Sequence, residues 1–426
     1  MKTTSPLKKT IIGLSIISIA GLSIPSYSQQ GLQSRVNALE KEIKLLNEKS
    51  TDSKSSSTLN NTAFQYGGFL KLDAMWSDYS DAQRAGNVGD DFLVPSTIPV
   101  GNGNNDGDKV FDSNAKFSRL WLKTTTNTST GKITGYIEMD FNGGNDERLT
   151  NQSSTGLRHA FVTWDHSDSG SLLFGQTWST FFNTAALPES ADFIGPTSGT
   201  LFIRQSQMRW TKKLGNEKSL MLAAENPSVS VYDGGSGIND NNIDDSSLPD
   251  LVARLNGSAG MFSYSIAGIF REIAYDVGAL DDNTMGTALS FSGKLAFNNG
   301  DDLKLMISSG SLGRYIALNA YRDASIESDG DIDLIKTTGG FIAYRHLWNT
   351  KLRSTISYAF SEADNPNSIT PTATESASNL NVNLFYSPTK NLTFGGELIL
   401  ADRETGAATD ADGDLKRLQL MAKWAF

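Results

Sequence analysis

The last ten residues, Arg417-Leu418-Gln419-Leu420-Met421-Ala422-Lys423-Trp424-Ala425-Phe426, alternate strictly between two kinds of side chain. Successive side chains of a strand point to opposite faces. Leu418, Leu420, Ala422, Trp424 and Phe426 therefore share one face, and Arg417, Gln419, Met421 and Lys423 share the other. In a soluble protein, a strand face finishing on Trp-x-Phe would need a core to cover it. In a transmembrane barrel the same face meets lipid, and its last ring lies in the aromatic girdle. A terminal Phe on an alternating strand is also typical of bacterial outer-membrane proteins, where it acts as an assembly signal.

The N-terminus points the same way. Lys2, Lys8 and Lys9 precede an apolar run from Ile11 to Leu22, and Pro25-Ser26-Tyr27-Ser28 follows, so residues 1–28 read as a secretory signal peptide. The run is too short for a spanning helix, which needs about 20 apolar residues. The chain has no cysteine, which excludes a disulfide framework, thiolate catalysis and a Cys-based zinc site. Its formal charge is −10, and removal of the three leader lysines would take it to about −13; nothing in this balance suggests a nucleic-acid partner. Only 38% of residues are hydrophobic, which a barrel with a polar lumen allows because each strand is apolar on one face only.

Residues 29–49 read as a short coiled-coil helix. Leu32, Val36, Leu39, Ile43 and Leu46 recur at heptad spacing, with charged residues between them. Two heptads are marginal alone and need support from something already oligomeric. Residues 50–63, rich in Ser, Thr and Asn, read as a flexible linker. From 64 to 426 the expectation is an all-β fold, a 16-stranded antiparallel transmembrane barrel. Sixteen alternating segments can be counted, among them 115–126, 259–272 and 285–297. Seven tight turns, such as Asn256-Gly257 and Asn298-Asn299-Gly300, alternate with eight long polar connections. That is what up-and-down strands need when both termini lie on the periplasmic side.

Once parity fixes the lipid face, the opposite face is the lumen. It collects Lys71, Arg119, Lys123, Arg209, Arg254, Arg271, Lys294, Lys304, Arg345, Arg353, Arg417 and Lys423, against only Asp73, Glu138, Asp140, Glu225, Asp250 and Glu397. Arg158 and Arg204 have ambiguous parity. A guanidinium on the lipid face would cost roughly 2–4 kcal/mol near the midplane, so these bases must line water or pair. Rings of Arg and Lys favour anions, and Arg adds bidentate carboxylate binding. The competing reading is that the bases pair with the few lumen acids and only brace the wall. The third long loop, Ser179 to Thr200, is more apolar than the others and is expected to fold inward. There it would narrow the pore beside Gln176, Trp178, Gln205, Gln207 and Arg209; packing at a subunit interface is its alternative.

Catalytic readings fare poorly. His159, His166 and His346 are the only histidines, and no nucleophile-elbow, zinc-protease or phosphate-loop motif occurs. The acidic runs Asn104-Asn105-Asp106-Gly107-Asp108 and Asp410-Ala411-Asp412-Gly413-Asp414 lack the distal Glu and helices of a calcium hand. No cofactor or metal is expected.

Five stretches resemble the DcaP-type outer-membrane porins, in that family's order: Gly68-Phe69-Leu70-Lys71-Leu72-Asp73, Tyr136-Ile137-Glu138-Met139-Asp140-Phe141, Leu157-Arg158-His159-Ala160-Phe161-Val162, Gly175-Gln176-Thr177-Trp178-Ser179 and Arg204-Gln205-Ser206-Gln207-Met208-Arg209. With the heptads, the resemblance spans nearly the whole mature chain. It implies a homotrimer in the outer membrane of a Gram-negative bacterium, with residues 29–49 as its trimerisation helix and each barrel admitting small anions such as dicarboxylates or aromatic acids. The related phosphate-selective porins share heptads and barrel, but a dense lysine ladder on successive strands is not evident in this sequence. Two further alternatives stay open: a barrel hydrolase, and a plugged structural barrel tied to peptidoglycan by the N-terminal helix.

Overall fold

The structure is a computed structural model. It describes residues 56–426 apart from 60, 82–86, 102–106, 144, 147–151, 167–168, 216, 234–237, 244, 278–279, 328 and 410. The leader and the heptad helix lie outside the described residues.

Sixteen strands form the wall. In chain order they are β1 (Thr62–Tyr79), β2 (Lys109–Asn114 continued by Arg119–Thr128), β3 (Gly131–Asp140), β4 (Gly156–His166), β5 (Gly170–Trp178), β6 (Arg204–Gly215), β7 (Lys218–Glu225) and β8 (Asp250–Ala259). The second half comprises β9 (Phe262–Val277), β10 (Leu280–Ala296), β11 (Asp302–Gly310), β12 (Lys336–Leu347), β13 (Leu352–Asp364), β14 (Thr374–Tyr386), β15 (Leu392–Thr405) and β16 (Asp412–Ala425). Each pairs antiparallel with its chain neighbour, and β1 pairs with β16 from Phe69↔Ala425 to Tyr79↔Leu415, which closes the circle. Closure pairs the backbone groups around the wall and leaves no free edge, so a chain with many polar residues can cross hydrocarbon.

Parity places the side chains as alternation requires. Leu70, Leu72, Trp76, Ile266, Phe270, Leu289, Val382, Leu384, Leu398 and Trp424 are exposed on the outer face. Their neighbours Lys71, Asp73, Arg271, Ser290, Asn381, Asn383 and Glu397 are buried inside. Large apolar side chains outside and polar ones inside invert the arrangement of a soluble domain.

Three local features differ from the sequence reading. Residues 56–59, assigned to the linker, form a short strand paired with Thr62–Gln65 of β1. β2 is broken at Ala115–Ser118, where the chain bulges and buries Phe117 and Lys116. The connection between β9 and β10, expected as a long loop, is short: β9 runs to Val277 and β10 begins at Leu280. Both strands run on with unbroken pairing through Tyr275↔Asp282 to Val277↔Leu280. Asp281, Asp282 and Asn283 suggested a loop because they are polar; they are strand residues that rise above the apolar belt, where polarity costs nothing.

At the opposite end the turns are short. The turn before β11 is tied by Asp301, whose carboxylate accepts from the Leu347 N–H at 2.8 Å, His346 Nδ1 at 2.9 Å and the Tyr344 hydroxyl at 2.7 Å. The Leu347 bond first, then the two side chains, hold this carboxyl well below the usual carboxylate range.

Candidate functional site: the lumen and its inward loops

The loop between β5 and β6, 179–203, crosses the lumen as expected, and the details explain why it stays there. Its first turn lies against the wall near its origin: the Thr180 N–H donates to Glu225 (2.6 Å), and Arg254 donates to the carbonyls of Thr180 and Phe182. It then reaches the far side. Asn183 meets Ser292 on β10, Lys304 of β11 donates to the Leu187 carbonyl at 2.7 Å, and Arg353 of β13 pairs with Glu189. Glu397 of β15 accepts from the Ser190 hydroxyl and the Ala191 N–H, while Lys71 and Gln419 donate to the Ala191 carbonyl. Asn379 of β14 accepts from the Ser198 N–H and donates to the Gly195 carbonyl. Gly199 lies so close to the β12–β13 wall that a Cβ there would collide with the carbonyls of Gly340 and Phe360.

Two more loops fold inward that the sequence reading did not single out. The β1–β2 loop brings Phe92 and Leu93 inside; Leu93 N–H donates to Asp192 at 3.1 Å, and Phe92 packs with Phe117 and Phe193. The β11–β12 loop contributes Tyr315, whose hydroxyl donates to Asp250 at 2.6 Å. It binds the crossing loop through a Leu201↔Ile316 bridge and an Ala317 N–H to Thr200 carbonyl bond of 3.1 Å. Ala317, Leu318 and Asn319 have φ of 51°, 56° and 62°, a left-handed run that non-glycine residues seldom adopt and that the surrounding packing must hold. A signal for both loops existed: Phe92-Leu93-Val94 and Tyr315-Ile316-Ala317-Leu318 are as apolar as the segment that was recognised.

This braced interior reassigns several residues expected to line the pore. Arg271 is 0% exposed, lodged between Asp250 at 3.3 Å and Asp323, with Tyr315 against its face. Arg417, 2% exposed, donates to Ser77, Tyr79 and the Gly89 carbonyl of the β1–β2 loop. Gln205 donates to Glu225 and Tyr315, and Gln207 to the Trp178 carbonyl; both are buried. These four fasten loops and do not reach the passage. The desolvation cost of a buried guanidinium requires such partners, and parity alone could not reveal which positions had them. Gln176 lies at the end of its strand and donates to the Leu157 carbonyl.

The remaining bases form a belt at the short-turn end. Lys294 and Arg345 keep side-chain exposures of 36% and 30% while sharing Asp302. Arg119 stands outside this belt, nearer the long loops, beside the Glu138 that Arg158 also holds, and keeps 25%. Lys123 and Arg209 make no ion pair with the described residues. Arg254 and Arg353 belong to the same belt while holding the crossing loop. Lys294 stands directly opposite Lys304, and Lys71 directly opposite Lys423. Like charges opposite each other on neighbouring strands destabilise a sheet.

At the long-loop end, Arg158 and Arg204 lie in a recess of about 390 Å³ with Gln176, Phe193, Phe202 and Leu318. Arg158 reaches it because the register shifts between Glu138 and Met139, which turns Arg158 inward beside His159. There it pairs with Glu138 (2.8 Å) and Asp140 (2.6 Å). Arg204 lies over the rings of Trp178 and Phe202. The shift explains the parity that could not be assigned from sequence.

A closed 16-stranded wall with an apolar exterior, a charged lumen and a loop folded across it defines a channel of the porin class, seated in the outer membrane of a Gram-negative bacterium. The DcaP outer membrane protein family model matches residues 23–426, and the chain belongs to that family. Its fold is similar to that of the outer membrane channel DcaP of Acinetobacter baumannii, with a TM-score of 0.73, 23% identity, and coverage of 87% of this chain and 99% of that one. OmpF of Salmonella typhi (TM-score 0.57, 12% identity, 87% and 100% covered) shares the architecture more distantly. So does OmpT of Vibrio cholerae (TM-score 0.53, 11% identity, 87% and 100% covered). No curated protein matches the sequence. The long loops accordingly face outward and the short turns face the periplasm.

Proposed function

We propose that this channel is a passive, anion-preferring diffusion porin for small carboxylates, dicarboxylates foremost, and works as a homotrimer. One observation carries the anion preference: Lys294 and Lys304 face each other across neighbouring lumen strands, and Lys294 shares Asp302 with Arg345. Lys304 also holds the Leu187 carbonyl, which leaves its charge uncancelled, and an anion passing between the two ammonium groups relieves their repulsion. Lys294, Lys304, Arg345 and Arg353 occupy four consecutive strands, and a low-dielectric wall focuses their field onto the passage. Contacts there must be weak and several, because tight binding would block flux. The trimer is supported by the outward faces of β2 to β5, where Gly135 and Ala160 form a shallow apolar recess with no charged residue.

Reversal potential across a planar bilayer in a salt gradient tests the reading. Anion preference is expected, with succinate blocking current, and Lys294→Gln with Lys304→Gln should lower the anion-to-cation permeability ratio several-fold. A cation-preferring wild-type channel would reject the proposal. The basic residues on four successive strands also favour compact oxyanions, so block by phosphate stronger than by succinate would select the phosphate-specific alternative.

A further inference from the structure

The outer face of β7 to β11 carries a recess of about 900 Å³ just below the extracellular rim. Its floor is small: Ala253 stands opposite Gly268, and Thr287 and Ser309 continue the depression across β10 and β11. Leu251 and Phe270, opposite each other and exposed, form one bank; Leu289, 69% exposed, forms the other. Ser309 spends its hydroxyl on Thr338 at 2.7 Å, so Thr287 is the floor's one hydroxyl left facing outward.

This face looks into the membrane, so the depression is filled by hydrocarbon or by protein. A hydrocarbon chain lying along it gains dispersion contacts on three sides that a smooth wall would not give. Lys336, the first residue of β12, lines the upper end. It is exposed and makes no ion pair with the described residues. Asp364 of β13 stands directly opposite Lys336 and is exposed, with no ion pair formed between them, and Glu272 of β9 is already capped by the N–H groups of Ser247 and Leu248. An ammonium at the end of an apolar trough matches a phosphate at the end of an acyl chain. The uncharged recess over β2 to β5 lacks that feature and suits a protein neighbour instead.

We propose that this trough binds one acyl chain of a phosphorylated outer-leaflet glycolipid of the lipid A type, with Lys336 on its phosphate. The site depends on the barrel's place in the membrane and not on which solute the lumen prefers.

Gly268 provides a clean test, because its backbone is not left-handed and a Cβ there would meet only Leu289, at 3.5 Å. Gly268→Leu fills the trough without disturbing the wall, and Ala253→Leu is a second filler. Native mass spectrometry of the detergent-extracted full-length protein, supplied with purified lipid A, reads the retained lipid. Retention should fall at least about five-fold in Gly268→Leu, Ala253→Leu and Lys336→Gln, with reversal potential unchanged. Undiminished retention in the filled variants would overturn the site. So would equal retention of phosphatidylglycerol by the wild type, or loss of the oligomer in Gly268→Leu, which would mark the trough as a subunit contact.

Discussion

Arg271 and Lys294 look alike in the sequence, both bases on lumen-facing strand positions, yet their surroundings give them opposite roles. Arg271 has no exposed surface and two carboxylates against it. Removing one partner of such a cluster strands the others in a dry interior, so Arg271→Ala should cost roughly 3–5 kcal/mol. Heat-induced unfolding on semi-native gels should show it as a clear drop in midpoint. Adding Asp250→Asn and Asp323→Asn to that variant should recover much of the loss, because the stranded charges go too; no recovery would mean that shape, not charge, holds the site. Lys294→Gln should leave the midpoint in place. Parity read from sequence puts both bases on the inner face of the wall. It cannot tell them apart, because Asp323, which encloses Arg271, comes from a loop distant in the chain.

At the scale of elements, strands were legible and loops were not. An alternating segment declares its two faces within ten residues, and the tight turns between segments fix the connections. A loop's path depends on distant contacts, which leave little local trace. The apolar 179–203 segment is recognisable by composition; the equally apolar Phe92-Leu93-Val94 is short and follows directly on Asp90-Asp91, which masks it. The Asp281-Asp282-Asn283 stretch failed in the other direction, since polarity says nothing once a strand has left the bilayer. The crossing loop makes its own prediction. Gly199→Val would push a side chain into the Gly340 and Phe360 carbonyls, a misfit worth roughly 1–3 kcal/mol. The loop should lift from the β12–β13 wall, and single-channel conductance should rise while the oligomer persists. Unchanged conductance would mean that the loop does not set the narrowest point.

For the whole molecule, the formal charge of −10 and the basic belt point in opposite directions. The acidic surplus sits mainly in the outward loops, and the cations sit inside a narrow wall at the periplasmic end. Screening separates the two contributions. The Debye length is about 10 Å at 0.1 M salt and about 3 Å at 1 M, so distant loop carboxylates lose influence before cations lining the passage do. Anion preference measured as a permeability ratio should therefore survive in 1 M salt, though reduced from its value at 0.1 M. Complete loss at 1 M would assign selectivity to the diffuse field of the mouth and away from the belt.

The crossing loop is gripped largely through its main chain: Arg254 takes the carbonyls of Thr180 and Phe182, Lys304 that of Leu187, Asn383 that of Glu189 and Lys71 that of Ala191. A carbonyl dipole immobilises a cation without cancelling its charge, and any residue type supplies one. Thr180, Phe182, Leu187 and Ala191 can therefore change side chain without releasing those cations, whereas Glu189, Ser190, Asp192 and Gly199 cannot change without loosening the loop itself.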